Sequence, residues 1–357
     1  MAGAAASAPR ATPASSPMSS PRATLRAGLI GVGMMGRHHA RVLRGLDGVE
    51  LVAVADPMGD PHRAAGGLPL LSSVEELIVA GVDYCMVAVP TAFHEQVGLA
   101  LAEAGVHAMV EKPLAADSES AARLAAAFAD RGLVGAVGHI ERYNPALQHL
   151  RSRLAHGELG GVYQVATRRQ GPFPARIADV GVIKDLATHD IDLTAWVTQQ
   201  PYRNVSARTA YKSGREHEDL VAAVGSLADG TVTSHLVNWL SPMKERVTVV
   251  TGERGAFVAD TLNADLTYYA NGVIPTTWDK ISSFRGVSEG DMIRYAYAKP
   301  EPLRVEHEAF RDAVLGKESD IVTMRQGLAT VAVAEAMIKS AVGGGCVVEF
   351  DVAAGIA

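Results

Sequence analysis

From residue 27 onward the chain alternates short apolar runs with stretches of helical spacing. Residues 27–31, 50–56, 83–90, 107–113 and 133–137 are short, mostly apolar runs. Between them, the stretch up to residue 46 and residues 93–104 and 118–131 are helix-like, the last two rich in alanine. Apolar strands separated by helices predict a parallel sheet covered on both faces. Such a doubly wound sheet takes its ligand at the C-terminal ends of its strands. After residue 145 the alternation stops. Residues 161–170, 203–210, 220–227, 231–240, 246–251, 256–260 and 266–270 read as strands, with turns at Ala228-Asp229-Gly230 and Ala270-Asn271-Gly272. Helices are expected at 183–198, 305–315 and 324–342, and a closing strand at 346–350. The expected fold is α/β: a tail over 1–26, a parallel-sheet domain over 27–145, and a second α/β domain over 146–357. The second domain's large, mainly antiparallel open sheet would have one face solvated or paired with another subunit.

The first strand runs into Gly31-Val32-Gly33-Met34-Met35-Gly36, and a helix opens directly behind it. In that setting Gly31 allows a tight turn, Gly33 lets backbone approach a pyrophosphate, and Gly36 lets helix pack on strand. Amides near Met34 and Met35, at the helix start, would face the anion. Asp56 closes the second strand twenty residues after Gly36. It is placed to accept hydrogen bonds from the adenosine ribose, where a 2′-phosphate would meet a carboxylate. This predicts a Rossmann domain and NAD(H), with NADP(H) disfavoured. The plainer readings are a merely tight turn and, for Asp56, a turn residue before Pro57.

In the helix expected at 183–198, Asp185, His189 and Asp192 fall at i, i+4 and i+7 and share one face, beside an apolar stripe of Leu186, Leu193 and Val197. Oxidising an alcohol sends a hydride to the nicotinamide and the hydroxyl proton to a protein group, which favours His or a Lys of lowered pKa. Lys112, in Glu111-Lys112-Pro113, lies just past a parallel strand at the nicotinamide edge. His189 is the natural proton acceptor, with Asp185 orienting it or binding substrate. The alternatives are an exposed loop cation paired with Glu111, and a solvated helix face.

Composition removes other classes. Of 357 residues, 48% are hydrophobic and 20% charged, and the net charge of −6 is dispersed, so no basic stripe invites nucleic acid. No run approaches the ~18 apolar residues of a membrane helix. The first 26 residues, rich in Ala, Ser and Pro with no acid, are expected to be a disordered tail, and the protein cytoplasmic. Cys85 and Cys346 each sit in an apolar run and read as small buried hydrophobes in a reducing compartment. No metal site is expected: His38 and His39 are adjacent on a helix, and the cysteines lack ligand spacing.

The glycine motif, Val89-Pro90-Thr91 with His94, Glu111-Lys112-Pro113, and Asp185 with His189 together resemble the glucose–fructose oxidoreductase/inositol dehydrogenase (Gfo/Idh/MocA) family over residues 27–350. The resemblance implies a Rossmann domain joined to an α/β domain whose open sheet serves as an oligomer interface, in a homodimer or homotetramer. It implies that Pro90, Thr91, His94 and Glu111 belong to the cofactor site. Lys112 and His189 would be the catalytic pair, with Asp185 at the substrate hydroxyls. The segments at 138–145, 169–176, 179–182 and 238–240 are similar to the branch containing UDP-N-acetylglucosamine 3-dehydrogenases. Arg142, Asn144, Arg169 and Arg176 would then bind substrate, the arginines reaching a diphosphate; as arginines they serve equally as internal ion-pair partners. Tyr143 stands where such sequences often carry Phe. Three functions follow: oxidation of a sugar or nucleotide sugar, with the 3-hydroxyl of UDP-N-acetylglucosamine foremost; an inositol or free-sugar dehydrogenase; and a dinucleotide-binding redox sensor.

Overall fold

A computed structural model describes residues 24–173, 180–272 and 289–350. Of the tail expected over 1–26, residues 1–23 lie outside the described residues. The first sheet contains β1 (Leu25–Ile30), β2 (Val49–Ala55), β3 (Leu70–Leu71), β4 (Tyr84–Val87), β5 (His107–Glu111) and β6 (Gly135–Gly138). All six pair in parallel, in the order β3-β2-β1-β4-β5-β6. Helices α1 (Gly36–Arg44), α2 (Val74–Val79), α3 (His94–Glu103) and α4 (Ser118–Asp130) connect them. The chain reverses its direction across the sheet between β1 and β4, and this opens a crevice at the strand C-termini. In β4, Cys85 and Val87 join the apolar cluster on one face while Tyr84 and Met86 join that on the other. Burial on both faces is why these strands read as unbroken apolar runs.

The second sheet contains β7 (Val162–Pro172), β8 (Tyr202–Ala210), β9 (Leu220–Leu227), β10 (Val232–Asn238), β11 (Leu240–Gly252), β12 (Gly255–Asp260), β13 (Asp265–Asn271), β14 (Glu289–Arg294) and β15 (Val348–Glu349). Their order is β14-β13-β12-β11-β7-β10-β9-β8-β15, and every pair is antiparallel except β7 with β10. Helices α5 (Pro145–Ala155) and α6 (Thr188–Thr198) cover its inner face. Asn144 starts α5 by accepting the Ala146 amide, with Pro145 at the first helical position.

Residues after 300 contribute to both cores. Helix α7 (Pro302–Val314) sets Phe310 edge-on against Tyr84 of the first sheet, ring centroids 5.4 Å apart. Helix α8 (Met324–Val342) starts in a capping box, Thr323 with Gln326. Its Met324 and Val331 pack in the first core, its Val333, Ala334 and Met337 in the second. One helix therefore clamps the two sheets together.

Several elements depart from expectation. α2, α5, β3 and β14 fall where the pattern named no element; α2 and β3 are too short to show a period. The closing strand is two residues long. Cys85 is buried as expected, but Cys346 is exposed, because it follows the glycine-rich end of α8 and precedes β15.

Within the second core, His235 is buried between the Thr167 hydroxyl and the Tyr202 phenol, each 2.8 Å from a ring nitrogen. Burial lowers its pKa to about 4. The unfolded chain, with its histidine near 6.5, then binds more protons, so stability rises with pH and is lost as pH falls below 6.5 toward 4. His235→Gln is expected to remove up to about 1.4 kcal/mol per pH unit from that slope. Denaturant melts at pH 7 and pH 5 check this; equal slopes in both proteins contradict it.

Candidate active site

The glycine turn joins β1 to α1. Gly31 holds φ +87°, and a side chain there would collide with the Ala88 carbonyl. A side chain at Gly36 would collide with the Gly31 carbonyl, whereas the position above Gly33 opens into free space. Turn and helix therefore demand glycine at two positions, and the third clears an approach to backbone at the start of α1. Met35 stands at the N-cap of α1 and Met34 is exposed. Asp56 accepts the Val32 amide at 2.9 Å on one oxygen and the Met58 amide at 2.9 Å on the other. It thus fixes the glycine turn and its own turn together, and each oxygen keeps lone pairs for a ribose. This cradle fits a dinucleotide.

Past the end of β5, Lys112 Nζ donates to the Asp185 carbonyl at 2.6 Å and to Asp185 Oδ1 at 2.9 Å. The helix expected over 183–198 is not uniform: residues Ile183–Ala187 form a π-helical turn that leads into α6. Such turns are rare and gather at functional sites. Here it carries both the carbonyl and the carboxylate of Asp185 to Lys112. Asp185 therefore holds the lysine rather than His189, whose buried Nδ1 has no partner among the described residues. Burial and the charges of Lys112, Arg169 and Arg246 hold His189 well below its ordinary pKa. Its ring is neutral at pH 7 and can accept a proton. Asp192, in the same helix as His189, pairs with Arg142 and lies 3.8 Å from His139, whose ring also meets that of His189 (centroids 6.4 Å apart).

Behind Lys112, Glu111 Oε2 accepts the Lys112 amide at 3.0 Å and Oε1 takes His39 Nε2 at 2.8 Å. His39 Nδ1 meets His307 Nε2 at 2.8 Å. Burial pushes the Glu111 carboxyl up, but the His39 hydrogen bond and the Lys112 charge outweigh it and leave the pKa lowered. His39 was missed by the sequence reasoning. Its place beside buried Ala40, Val42 and Leu43 is the signal that it faces inward. His94 is also buried between the Pro113 and Val89 carbonyls, 2.9 Å from Nδ1 and 3.0 Å from Nε2; burial lowers its pKa, and the single N–H of the neutral ring donates to one of them. Pro90 and Thr91 begin a short 3-10 turn at the C-terminal end of β4.

The arginines divide differently from the diphosphate reading. Arg142 is 5% exposed and pairs with Asp192 through Nε (2.8 Å) and Nη2 (2.6 Å). Arg169 is 3% exposed and donates to Asp190 (2.9 Å) and Glu141 (2.8 Å). Both are internal ion-pair partners, held there because a buried guanidinium must be neutralised. Asn144 spends its amide on the α5 cap and on the Thr261 carbonyl. Arg176 lies outside the described residues. Arg246, which the sequence reasoning passed over, is half-buried, and its charge bears on both Asp185 and His189.

Two family profiles match the chain: an oxidoreductase family with an NAD-binding Rossmann fold over residues 25–139, and the Gfo/Idh/MocA C-terminal domain over residues 147–258. The UDP-N-acetylglucosamine 3-dehydrogenase of Acidithiobacillus ferrooxidans is 32% identical over 81% of this chain and 88% of its own. Its solved structure superposes with a TM-score of 0.78 at 27% identity, covering 89% of this chain and 97% of that one. A myo-inositol dehydrogenase of Streptomyces leeuwenhoekii is 29% identical over 82% of this chain and 96% of its own. An enzyme of gentamicin A biosynthesis, solved in complex with NAD, superposes with a TM-score of 0.75 at 27% identity over 94% and 99% of the two chains. The chain belongs to the Gfo/Idh/MocA family of NAD-binding oxidoreductases, dehydrogenases that act on the hydroxyl groups of sugars and inositols.

Proposed function

We propose that this enzyme oxidises a secondary hydroxyl of a nucleotide sugar, with the 3-hydroxyl of UDP-N-acetylglucosamine as the foremost candidate. The observation that carries the reading is the Lys112–Asp185 pair beside a neutral His189, at the strand ends where the glycine turn would present a nicotinamide. One relative that matches over most of both chains is a UDP-N-acetylglucosamine 3-dehydrogenase, and another is a myo-inositol dehydrogenase.

Bound NAD supplies the hydride acceptor. Asp185 fixes the Lys112 ammonium by two contacts, and a remaining proton of that ammonium is free to hydrogen-bond the substrate oxygen. As hydride leaves carbon, charge builds on this oxygen, and a fixed cation at that place stabilises it. His189 takes the hydroxyl proton; its neutral ring is the proton-accepting form. Asp56 would meet the ribose hydroxyls and repel a 2′-phosphate, which favours NAD over NADP. The active form would be a homodimer or homotetramer through the outer face of the second sheet, where Val224, Val232, Tyr269 and Met292 are exposed. Among the described residues no helix is long and apolar enough to cross a membrane.

A second reading, an inositol or free-sugar dehydrogenase, draws on one observation: Arg142 and Arg169, which a diphosphate would need, are spent on Asp192, Asp190 and Glu141. NADH formation from UDP-N-acetylglucosamine, myo-inositol and glucose separates the two. Turnover of the nucleotide sugar is expected, and turnover confined to the uncharged polyols sinks the proposal. His189→Ala is expected to lower kcat about 100-fold or more while NAD affinity by calorimetry holds. A wild-type rate in that variant would remove His189 from the reaction.

A further inference from the structure

We infer that Arg246 is the specificity-determining residue that selects a sugar bearing an oxyanion. The inference rests on the sugar-dehydrogenase reading of the site and names what that site discriminates.

The register of the second sheet places Arg246 of β11 directly opposite Arg169 of β7. Residues paired in this way point to the same face, and like charges so placed repel. A sheet built for stability alone would avoid the arrangement. Arg169 is neutralised: it is buried and takes Asp190 and Glu141 Oε1. Arg246 is not. It lies 3.5 Å from Glu141 Oε1, the same oxygen that Arg169 already holds at 2.8 Å. Among the described residues its guanidinium makes no hydrogen bond, and its side chain is 34% exposed. Its N–H donors are thus part-exposed and share one carboxylate oxygen with a second cation.

The groups facing it are Arg169, Glu141, Asp190, Asp185 and, at the reacting end, His189. Asp190 is already held by Arg169 Nε at 2.9 Å. Burial and the Arg169 charge disfavour a protonated Arg246, yet a guanidinium does not give up its proton in a protein. A second observation concerns the strand itself. Its pairing with β7 slips between Leu240 and Glu245, just before Arg246. Bulges of this kind bend a strand and re-aim side chains next to active sites.

A planar fork that is charged, part-exposed and without a hydrogen bond among the described residues suits a phosphate or a carboxylate, both of which it can grip through two N–H donors. On a sugar whose ring hydroxyl lies between Lys112 and His189, that oxyanion is a diphosphate on the anomeric carbon or a carboxylate at C6.

The test compares kcat/KM of wild type, Arg246→Met and Arg246→Lys on UDP-N-acetylglucosamine, on the same nucleotide sugar carrying a C6 carboxylate, and on an uncharged sugar. Arg246→Met is expected to lose about 10- to 100-fold more on the anionic substrates than on the uncharged one, as for loss of a charge-assisted pair. Arg246→Lys, which keeps the charge but not the fork, should fall between. Equal loss on both UDP sugars assigns the diphosphate, and loss confined to the carboxylated one assigns C6. Equal loss on anionic and uncharged substrates, or none, overturns the inference while leaving the proposed function intact. If wild type oxidises uncharged polyols alone, the nucleotide-sugar reading fails by itself. Arg246 is then judged by competitive inhibition with glucose 1-phosphate at saturating NAD: inhibition weakened in Arg246→Met supports its role, and an unchanged inhibition constant overturns it. Should Arg246→Met not fold, Arg246→Lys still decides, since unchanged discrimination in it contradicts a gripping fork.

Discussion

The contact on which this structure depends joins Lys112, at the end of the first sheet, to Asp185, at the start of the second domain's site helix. Two largely buried charges are costly to withdraw from water, and their attraction offsets that cost only when geometry is good. Here the ammonium meets a carboxylate and a carbonyl of the same residue, and the π-helical turn at Ile183–Ala187 presents both. The cofactor cradle and the candidate proton acceptor belong to different sheets, so this pair fixes their relative position. Helix α8, packed in both cores, backs the same junction with apolar contact.

Around that pair the ionisable groups settle into distinct states. Glu111 is held ionised against the Lys112 backbone by His39, while His189 is held neutral by burial and surrounding cations. Arg142 and Arg169 are consumed in neutralising buried acids, which leaves Arg246 as an arginine of the site with its donors uncommitted among the described residues. The charge pattern thus separates parts that hold the site together from parts that face a substrate.

Much of this was legible in the sequence because it is local. The glycine turn, its following helix and Asp56 lie within one βαβ unit, and the turn's backbone leaves no room for a side chain at Gly31 or Gly36. The change from unbroken apolar runs to short strands marked the second sheet, since burial on two faces and on one leaves different patterns. What the sequence hid was long-range. The partners of Arg142 and Arg169 lie 50 and 21 residues away, so nothing nearby distinguished an ion-pair arginine from a substrate-binding one. Arg246 sits in a strand whose register with β7 alone gives it meaning. The π-helical turn at Ile183–Ala187 interrupts the helix between Asp185 and His189, and Asp185 meets Lys112 instead. Likewise α7 and α8 return to the first sheet, which periodicity within a helix cannot announce.

The most direct measurement is a double-mutant cycle on kcat/KM for NADH formation, with Lys112→Met, Asp185→Asn and the two combined. If the pair acts as a unit that assembles the site, the double variant should be little worse than the more damaged single variant. Losses that simply multiply would show that Lys112 and Asp185 act independently, and would contradict the account.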